Sequence, residues 1–213
     1  MIITEITRQE KDKNRCSIFI EDRFFMGIYE DTLVKFRLRK GDEVTEQAIK
    51  EIKLYDEINF GKKTALKYLA YKPRSKKEIE KKLTALKLSE NSIKEVINWL
   101  ENIRYLNDDH YSKLLIESKT IRKPIGRRLL IQKLLQSGIE KETIEKNILE
   151  LYPGEKEQKA AVTVLKKYSK KVKAKNETER KRKCFQYLLS RGFEYGVVTE
   201  AMKELETKIP SEK

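Results

Sequence analysis

Histidine and cysteine are nearly absent from this chain of 213 residues, which has one histidine and two cysteines. So few ligands cannot build a zinc site of several histidines or paired cysteines. Cys16 and Cys184 are far apart, so we expect two buried thiols rather than a disulfide. His110 is expected in a solvated turn, and the motifs GxxxxGKS/T, GxGxxG, HExxH and GxSxG are missing. We therefore expect no cofactor, no metal and no enzymatic activity.

Apolar residues are also scarce, because hydrophobic types make up 38% of the chain and charged types another 38%. No run of 18 uncharged apolar residues occurs, so no membrane-spanning helix is expected. The opening sequence MIITEITRQEKDK lacks the basic start and apolar centre of a secretory signal. We expect a cytoplasmic protein without membrane contact, built from small stacked units rather than around one deep core.

Positive charge is what the chain has in excess, with 48 Lys and Arg against 34 Asp and Glu, a formal net charge of +14. Residues 1–58 hold 11 basic and 13 acidic side chains, a net charge of −2. Residues 59–213 hold 37 basic and 21 acidic side chains, a net charge of +16. A charge so unevenly distributed indicates that the second part meets an extended acidic partner.

Residues 1–58 have the patterns of a small α+β element. Two strand-like runs, at residues 16–20 and 23–29, are joined by the polar pair Glu21 and Asp22. Short β-rich runs separated by two polar residues predict a β-hairpin.

Two short helices are expected after the hairpin. Asp31 or Thr32 can cap the first, which would end at Gly41, although alternating apolar residues in the same stretch also fit a strand. Thr45 can cap the second, which would run to about Glu57.

A repeat of helical hydrophobic positions begins after residue 59. Seven positions recur after 51 residues and again after a further 54, and each set fits two amphipathic helices joined by a fixed turn. The three sets are Ile79, Leu83, Leu88, Ile93, Val96, Ile97 and Leu100; Leu130, Leu134, Ile139, Ile144, Asn147, Ile148 and Leu151; and Cys184, Leu188, Phe193, Val198, Ala201, Met202 and Leu205.

The turns of these helix pairs agree with the repeat. Gly138 and Gly192 stand where a helix ends and a residue with positive φ is favoured, and Lys87 takes that place in the first copy. The residues Ser75-Lys76-Lys77-Glu78 have the sequence of a capping box, which indicates the start of the first pair.

A further helix precedes each pair, at residues 62–71, 109–120 and 155 to about 173, and Pro73 and Pro124 end the first two. The pattern predicts a mainly α fold, an elongated array of three tandem three-helix repeats with a small N-terminal α+β element. The predicted domains are residues 1–58, 59–107, 108–153 and 154–213.

Basic residues do not collect on the third helix of each repeat, at residues 89–103, 140–151 and 194–206, where glutamates outnumber lysines. These helices are therefore unlike the recognition helix of a DNA-reading helix-turn-helix motif. Cations collect on the other helices and their junctions instead. The residues predicted to contact the acidic partner are Lys72, Arg74, Lys76, Lys77, Lys119, Arg122, Lys123, Arg127, Arg128 and Lys133.

One aromatic residue interrupts the repeat. Trp99 aligns with Glu150 and Glu204 of the other copies. It can pack against the N-terminal element or an adjoining unit, or it can be an exposed anchor for a protein partner, a role in which tryptophan is enriched.

The chain resembles the RecX family of recombinase regulators between residue 59 and about residue 152, and the internal repeat extends the likeness to the third unit. Residues 1–58 resemble an extension of some members more weakly. The segments that carry the resemblance are 65–69 (ALKYL), 74–79 (RSKKEI) with Lys82 and Leu83, 105–108 (YLND) with Tyr111, 123–126 (KPIG) and 134–139 (LLQSGI).

This resemblance implies a non-enzymatic regulator in DNA repair and the SOS response, and we expect the chain to be a monomer. It would bind the RecA recombinase and its filament on single-stranded DNA, and would inhibit strand exchange, ATP hydrolysis and co-protease activity. The alternative is a helical repeat protein that binds nucleic acid directly and without sequence preference. Charge reversal at Arg127 and Arg128 is expected to weaken filament binding while leaving the helical content unchanged.

Overall fold

The computed structural model describes residues 1–207, and within them the chain has three strands and ten helices. The mainly helical fold with a small N-terminal sheet confirms the predicted fold class. The strands are β1 (Ile3–Arg8), β2 (Arg15–Ile20) and β3 (Arg23–Tyr29); the helices are α1 (Glu30–Phe36), α2 (Glu46–Tyr71), α3 (Lys76–Ala85), α4 (Glu90–Asn102), α5 (Asp108–Ile121), α6 (Arg127–Gln136), α7 (Lys141–Leu151), α8 (Gly154–Ser169), α9 (Glu177–Ser190) and α10 (Tyr195–Thr207). One compact unit spans Met1–Leu106, and a second begins at Asn107.

The N-terminal sheet is antiparallel in the order β1-β2-β3. Glu21 and Asp22 both have positive φ, which is the backbone of a tight two-residue turn, so the predicted hairpin of β2 and β3 is confirmed. Strand β1 was not predicted from the sequence. It pairs with β2, as Ile6 opposite Ile18 illustrates, and places Ile3 in the core of this element.

Helix α1 follows β3 directly, which differs from the predicted start and end. The cap position is Tyr29, and neither Asp31 nor Thr32 caps the helix. The helix ends at Arg37, whose φ of 51° is left-handed, before it can reach Gly41.

Helix α2 is a single helix of 26 residues, where the sequence predicted one helix ending near Glu57 and another starting at Lys62. Thr45 caps it as predicted, because its hydroxyl accepts a hydrogen bond from the Ala48 amide at 3.1 Å. The predicted domain boundary at residue 58 therefore falls inside a helix. Gly61 lies in this stretch because a Cβ there would meet Val96 of α4 at 2.8 Å, so the glycine serves close packing and not a break.

The remaining helices form the three predicted triplets, α2 to α4, α5 to α7 and α8 to α10. In each triplet the first helix packs against the third. The predicted turns are confirmed, since Gly138 and Gly192 have φ of 82° and 86° and Lys87 has φ of 62° at the equivalent place.

Most of the predicted repeat positions are buried, and Ile93, Leu151, Met202 and Leu205 are half-buried. The two units differ in how their cores are divided. In the first unit, one buried cluster lies between the sheet and the start of α2, and another within the first repeat. In the second unit, one continuous cluster runs from Ile116 to Ala201. The second and third repeats therefore share a core, as expected of stacked repeats that bury little surface alone.

Candidate partner interface

Two basic residues begin the middle helix of the first and second repeats, at equivalent positions. Lys76 and Lys77 begin α3, and Arg127 and Arg128 begin α6. Cations at a helix N-terminus oppose the helix dipole, which disfavours them by about 0.3–1 kcal/mol each. Their placement does not serve helix stability, so the neighbours of each side chain decide what its charge does.

At the junction of α2 and α3, Arg74 is held inside its own repeat. Its side chain is 11% exposed, its guanidinium lies 3.8 Å from the centre of the Tyr68 ring, and its Nη1 donates to Glu78 Oε1 at 3.2 Å. Glu78 also completes the predicted capping box, because Oε2 accepts from the Ser75 amide while the Ser75 hydroxyl accepts from the Glu78 amide. Arg74 thus supports the start of α3 through packing and a hydrogen bond.

The other three cations of this junction are more accessible. Lys76 approaches Glu101 of α4, with Nζ 3.4 Å from Oε1, in a half-exposed ion pair. Lys72 ends α2 in extended backbone, and Lys77 lies in the first turn of α3, and both side chains are exposed. On the first unit, Lys72 and Lys77 are therefore available for contact with an acidic partner.

At the junction of α5 and α6, backbone from the third repeat caps the start of α6. Gly126 occupies the cap position and has no side chain that could accept a hydrogen bond. Instead, the Gly126 amide donates to the Arg191 carbonyl at 3.0 Å and the Arg128 amide donates to the Gly192 carbonyl at 3.2 Å. A Cβ at Gly126 would lie 2.2 Å from the Gly192 carbonyl group, so this contact requires glycine.

Glu157 of α8 completes the capping of α6. Its side chain is 3% exposed, Oε1 accepts from the Arg127 amide at 2.8 Å, and Oε2 lies 3.2 Å from Arg127 Nε. Burial raises the pKa of Glu157, and the hydrogen bond from the Arg127 amide and the charge of its guanidinium oppose that rise. Arg127 also donates to the Tyr152 carbonyl at 2.9 Å.

Arg128 binds the third repeat as well, because its Nη2 donates to the Leu189 carbonyl at 2.8 Å. The two arginines predicted to be central to the acidic contact are thus both engaged in joining the second repeat to the third. Charge reversal at Arg127 would bring a carboxylate against the buried carboxylate of Glu157. A loss of partner binding by that variant could therefore come from a weakened fold as well as from a lost contact with the partner.

The other predicted cations of the second unit lie near this junction. Arg122 and Lys123 follow α5 and are exposed, whereas Lys119 in α5 and Lys133 in α6 are half-buried. The exposed members of the predicted set are accordingly Lys72 and Lys77 in the first unit, and Arg122, Lys123 and the partly engaged Arg128 in the second.

Two buried carboxylates that organise the repeats were missed by the sequence reasoning. Asp56 of α2 accepts from the Tyr29 amide at 2.6 Å and from the Thr32 hydroxyl at 2.7 Å, which ties β3 and α1 to α2. Asp56 stands four residues after buried Ile52, and Glu157 stands four before buried Ala161. A carboxylate on the apolar face of a predicted helix is the signal that could have identified both.

Trp99 packs within its own repeat. It is half-buried against the core of α2 to α4, and Lys62 Nζ lies 4.9 Å from its ring centre. Packing, and not an exposed anchor, accounts for this residue.

The described residues hold neither a metal-binding cluster nor a membrane-spanning helix. No group of three or more histidine, cysteine, aspartate or glutamate side chains there could hold a metal ion. Among the described helices, none combines the length and the apolar character that crossing a membrane requires.

Comparison with protein families assigns the chain. Three family models match it: the regulatory protein RecX N-terminal domain at residues 1–45, the first three-helix domain of RecX at residues 62–100 and the third three-helix domain of RecX at residues 155–202. Together they cover more than half of the chain. The chain belongs to the RecX family.

Individual RecX proteins are similar over nearly the whole chain. The regulatory protein RecX of Streptococcus pneumoniae (strain Hungary19A-6) is 33% identical over 208 residues, which is 98% of this chain and 80% of that protein. That of Staphylococcus aureus (strain JH9) is 34% identical over 204 residues, 96% of this chain and 74% of that protein. Their shared name identifies a regulatory protein.

Solved RecX structures have the same fold. A crystal structure of regulatory protein RecX superimposes with a TM-score of 0.70 and 26% identity, covering 95% of this chain and 98% of that one. The crystal structure of RecX from Lactobacillus salivarius gives a TM-score of 0.64 and 29% identity, covering 72% of this chain and 99% of that one.

Proposed function

We propose that this RecX-family chain is a non-enzymatic cytoplasmic regulator that binds the RecA recombinase, free and as its filament on single-stranded DNA. Binding inhibits strand exchange, ATP hydrolysis and co-protease activity, and so modulates DNA repair and the SOS response. Family membership supports a regulatory role. The RecA target follows from what the RecX resemblance implies.

The observation that carries the proposal is the pair of exposed basic groups at equivalent helix junctions. Lys72 and Lys77 in the first unit correspond, 51 residues on, to Lys123 and Arg128 in the second. Paired cationic sites on a repeat protein suit a partner whose acidic surface also repeats, because each site then adds binding energy without any new kind of contact. A filament of identical subunits is such a partner.

The test is co-sedimentation of the full chain with RecA filaments on single-stranded DNA, followed by a strand-exchange assay. The double variants Lys72→Glu with Lys77→Glu, and Arg122→Glu with Lys123→Glu, change exposed residues only and should each weaken binding by about tenfold at low salt. Lys11→Glu with Lys13→Glu, two exposed lysines of the N-terminal element, makes the same change in net charge and should bind normally.

Three outcomes would contradict the proposal. Normal filament binding by both junction variants would remove the assigned surface. Failure of the unmodified chain to co-sediment would remove the RecA target. Tight and steeply salt-dependent binding to single-stranded DNA without RecA would favour the direct nucleic-acid-binding alternative. The chain is expected to act as a monomer, which its sedimentation velocity would check.

A further inference from the structure

An apolar groove with a basic rim runs between α9 and α10 of the third repeat. It has a volume of about 680 Å³. Its floor is formed by Phe185, Leu189 and Met202, and Tyr195 stands at its edge with 69% of its surface exposed. Phe185 and Tyr195 contact each other edge to face, with ring centres 5.3 Å apart.

The same groove occurs between α6 and α7 of the second repeat. Seven of the nine residues that line the α9–α10 groove have an equivalent, 54 positions earlier, that lines the α6–α7 groove. The equivalent pairs are Lys181 and Arg127, Phe185 and Ile131, Leu189 and Leu135, Tyr195 and Lys141, Thr199 and Glu145, Met202 and Ile148, and Lys203 and Leu149. The groove is therefore shared by the second and third repeats and is not particular to one helix pair.

The first repeat lacks this apolar surface. Glu80 and Thr84 occupy the places of Ile131 and Leu135. Apolar side chains at these places, Ile131 and Leu135 in one groove and the half-buried Phe185 and Leu189 in the other, thus occur in the second and third repeats and not in the first. Apolar surface concentrated in this way is typical of a protein contact.

The charges around the two grooves differ. Arg182 and Lys203 are exposed at the rim of the α9–α10 groove, and Lys181 lines it too. Lys203 pairs with Glu200 at 2.9 Å in an exposed ion pair, which water and salt screen. The α6–α7 groove has Glu145 and Glu194 in its rim, opposite Lys141. Of these two grooves in the described residues, the α9–α10 groove is the one that combines an apolar lining with a positive rim.

We infer that the α9–α10 groove binds an acidic amphipathic segment of a protein partner, which inserts an apolar side chain between Phe185, Leu189 and Met202. A second copy of this chain is disfavoured, because its own charge of +14 would repel the rim. Nucleic acid is disfavoured, because Phe185 is half-buried and contacts Tyr195 edge to face, so the groove offers only the Tyr195 ring for stacking and no row of exposed rings for successive bases.

This inference goes beyond the proposed function, since it holds for any protein that carries such a segment. It also separates two binding surfaces on the second unit. The basic junction of α5 and α6 would supply long-range attraction, and the groove would supply a localised apolar contact whose loss raises the dissociation rate.

The probe for a direct test is a fluorescein-labelled synthetic helical peptide with leucines at i, i+3, i+4 and i+7 and glutamates elsewhere. Fluorescence anisotropy with the full chain should show binding, and a peptide with lysine for each glutamate should bind at least about tenfold more weakly. Arg182→Glu with Lys203→Glu, and separately Tyr195→Ser, should each weaken binding of the acidic peptide by about tenfold.

Matched variants report on specificity. Lys170→Glu with Lys171→Glu changes the net charge equally away from the groove, and Leu149→Ser removes a 73%-exposed side chain from the α6–α7 groove. Both should bind the acidic peptide normally, and circular dichroism should show all variants folded.

Absence of binding, equal binding of both peptides, normal binding by the rim variant, or displacement of the peptide by oligothymidine would each overturn the inference. RecA co-sedimentation is a separate readout. A chain that binds RecA but not the peptide would reject the groove alone, and the reverse result would reject the RecA target alone.

Discussion

The starts of α3 and α6 are equivalent positions of one repeat, yet they are stabilised in different ways. In the first repeat, Ser75 and Glu78 cap α3 from within the helix itself. In the second, Gly126 at the cap position has no side-chain acceptor, and Glu157 and the backbone carbonyls of Arg191 and Gly192 supply the acceptors from the third repeat.

The difference shows how a repeat protein can exchange a local cap for a joint between repeats. A capping box stabilises one helix and leaves its neighbours independent. An acceptor supplied by the next repeat stabilises the helix only while both repeats are docked, so it couples their folding. The continuous hydrophobic core of the second unit agrees with such coupling.

The largest effect is expected from a methyl group at the joint itself. Gly126 has an ordinary φ of −72°, so alanine is acceptable to its backbone, but its Cβ would overlap the Gly192 carbonyl group. Gly126→Ala should therefore lower the free energy of unfolding by about 3 kcal/mol, through steric conflict alone. Chemical denaturation measures this change.

Gly154→Ala is the matched control, because a Cβ at Gly154 meets nothing within 4 Å at the start of α8. It should be neutral or stabilise the chain by up to about 1 kcal/mol. Equal effects of the two alanines would show that the second and third repeats do not meet as closely as described.

The next largest effect is expected from removing a cap acceptor, and it differs between α6 and α3. Glu157→Ala removes the acceptor of the Arg127 amide and leaves the guanidinium without its buried partner, which should cost about 2 kcal/mol. Ser75→Ala removes only a hydroxyl acceptor and should cost about 1 kcal/mol. Thermal unfolding of both variants under the same conditions gives the ranking, and a larger loss for Ser75→Ala would contradict the distinction.

These two caps also mark the limit of prediction from the sequence. The Ser75 box lies within four consecutive residues, so its spacing alone identified it. The cap of α6 joins residues separated by 30 positions for Glu157 and by about 65 for the Arg191 carbonyl, and no local pattern encodes such a pair.

Helix periodicity was predictable because it too depends on residues close together in the sequence. The stripes from Ile79 to Leu205 repeat because each helix buries one face, and the turns at Gly138 and Gly192 need a local backbone conformation. The continuous α2 was missed because the net charge of the sequence changes sign near residue 58, which suggested a boundary there, whereas one helix runs from Glu46 to Tyr71. Strand β1 depends on its pairing with β2, which is also a contact between separated segments.

The residues predicted to contact the partner also divide into those that the sequence could assign and those that only their neighbours in the structure could assign. The positions of Lys and Arg along the sequence were enough to predict the basic junctions. They could not distinguish Lys77, which is exposed, from Arg74, whose guanidinium pairs with Glu78 and stacks on Tyr68. Long basic side chains are used for packing as well as for charge, and only their neighbours decide between the two roles.

A smaller effect is expected from pH, through Glu157. Because burial raises its pKa, the folded chain holds this proton more tightly than the unfolded chain. The stability that Glu157 contributes is therefore fully present below the ordinary pKa of glutamate and is lost as pH rises through the raised folded value. From about pH 4 to about pH 7, the free energy of unfolding of the unmodified chain should fall relative to that of Glu157→Gln.

Denaturant unfolding at several pH values measures this difference, and Glu157→Gln is the reference because it cannot titrate there. Ser75→Ala should follow the pH profile of the unmodified chain, since a serine hydroxyl carries no charge. A difference that grows in favour of the unmodified chain as pH rises would mean that the ion pair with Arg127 outweighs burial.

The smallest effect on stability is expected for the exposed lysines at the junction of α2 and α3, whose replacement should have the largest effect on partner binding. Lys72→Ala and Lys77→Ala remove exposed side chains and should change the free energy of unfolding by no more than about 0.5 kcal/mol. Arg74→Ala, two residues from Lys72, should cost about 1 kcal/mol because it removes the contacts to Glu78 and Tyr68. Thermal unfolding measured together with filament co-sedimentation separates a role in partner binding from a role in stability. The lysine variants should lose filament binding at nearly constant stability. A loss of stability for Lys77→Ala as large as that for Arg74→Ala would mean that both side chains stabilise the start of α3.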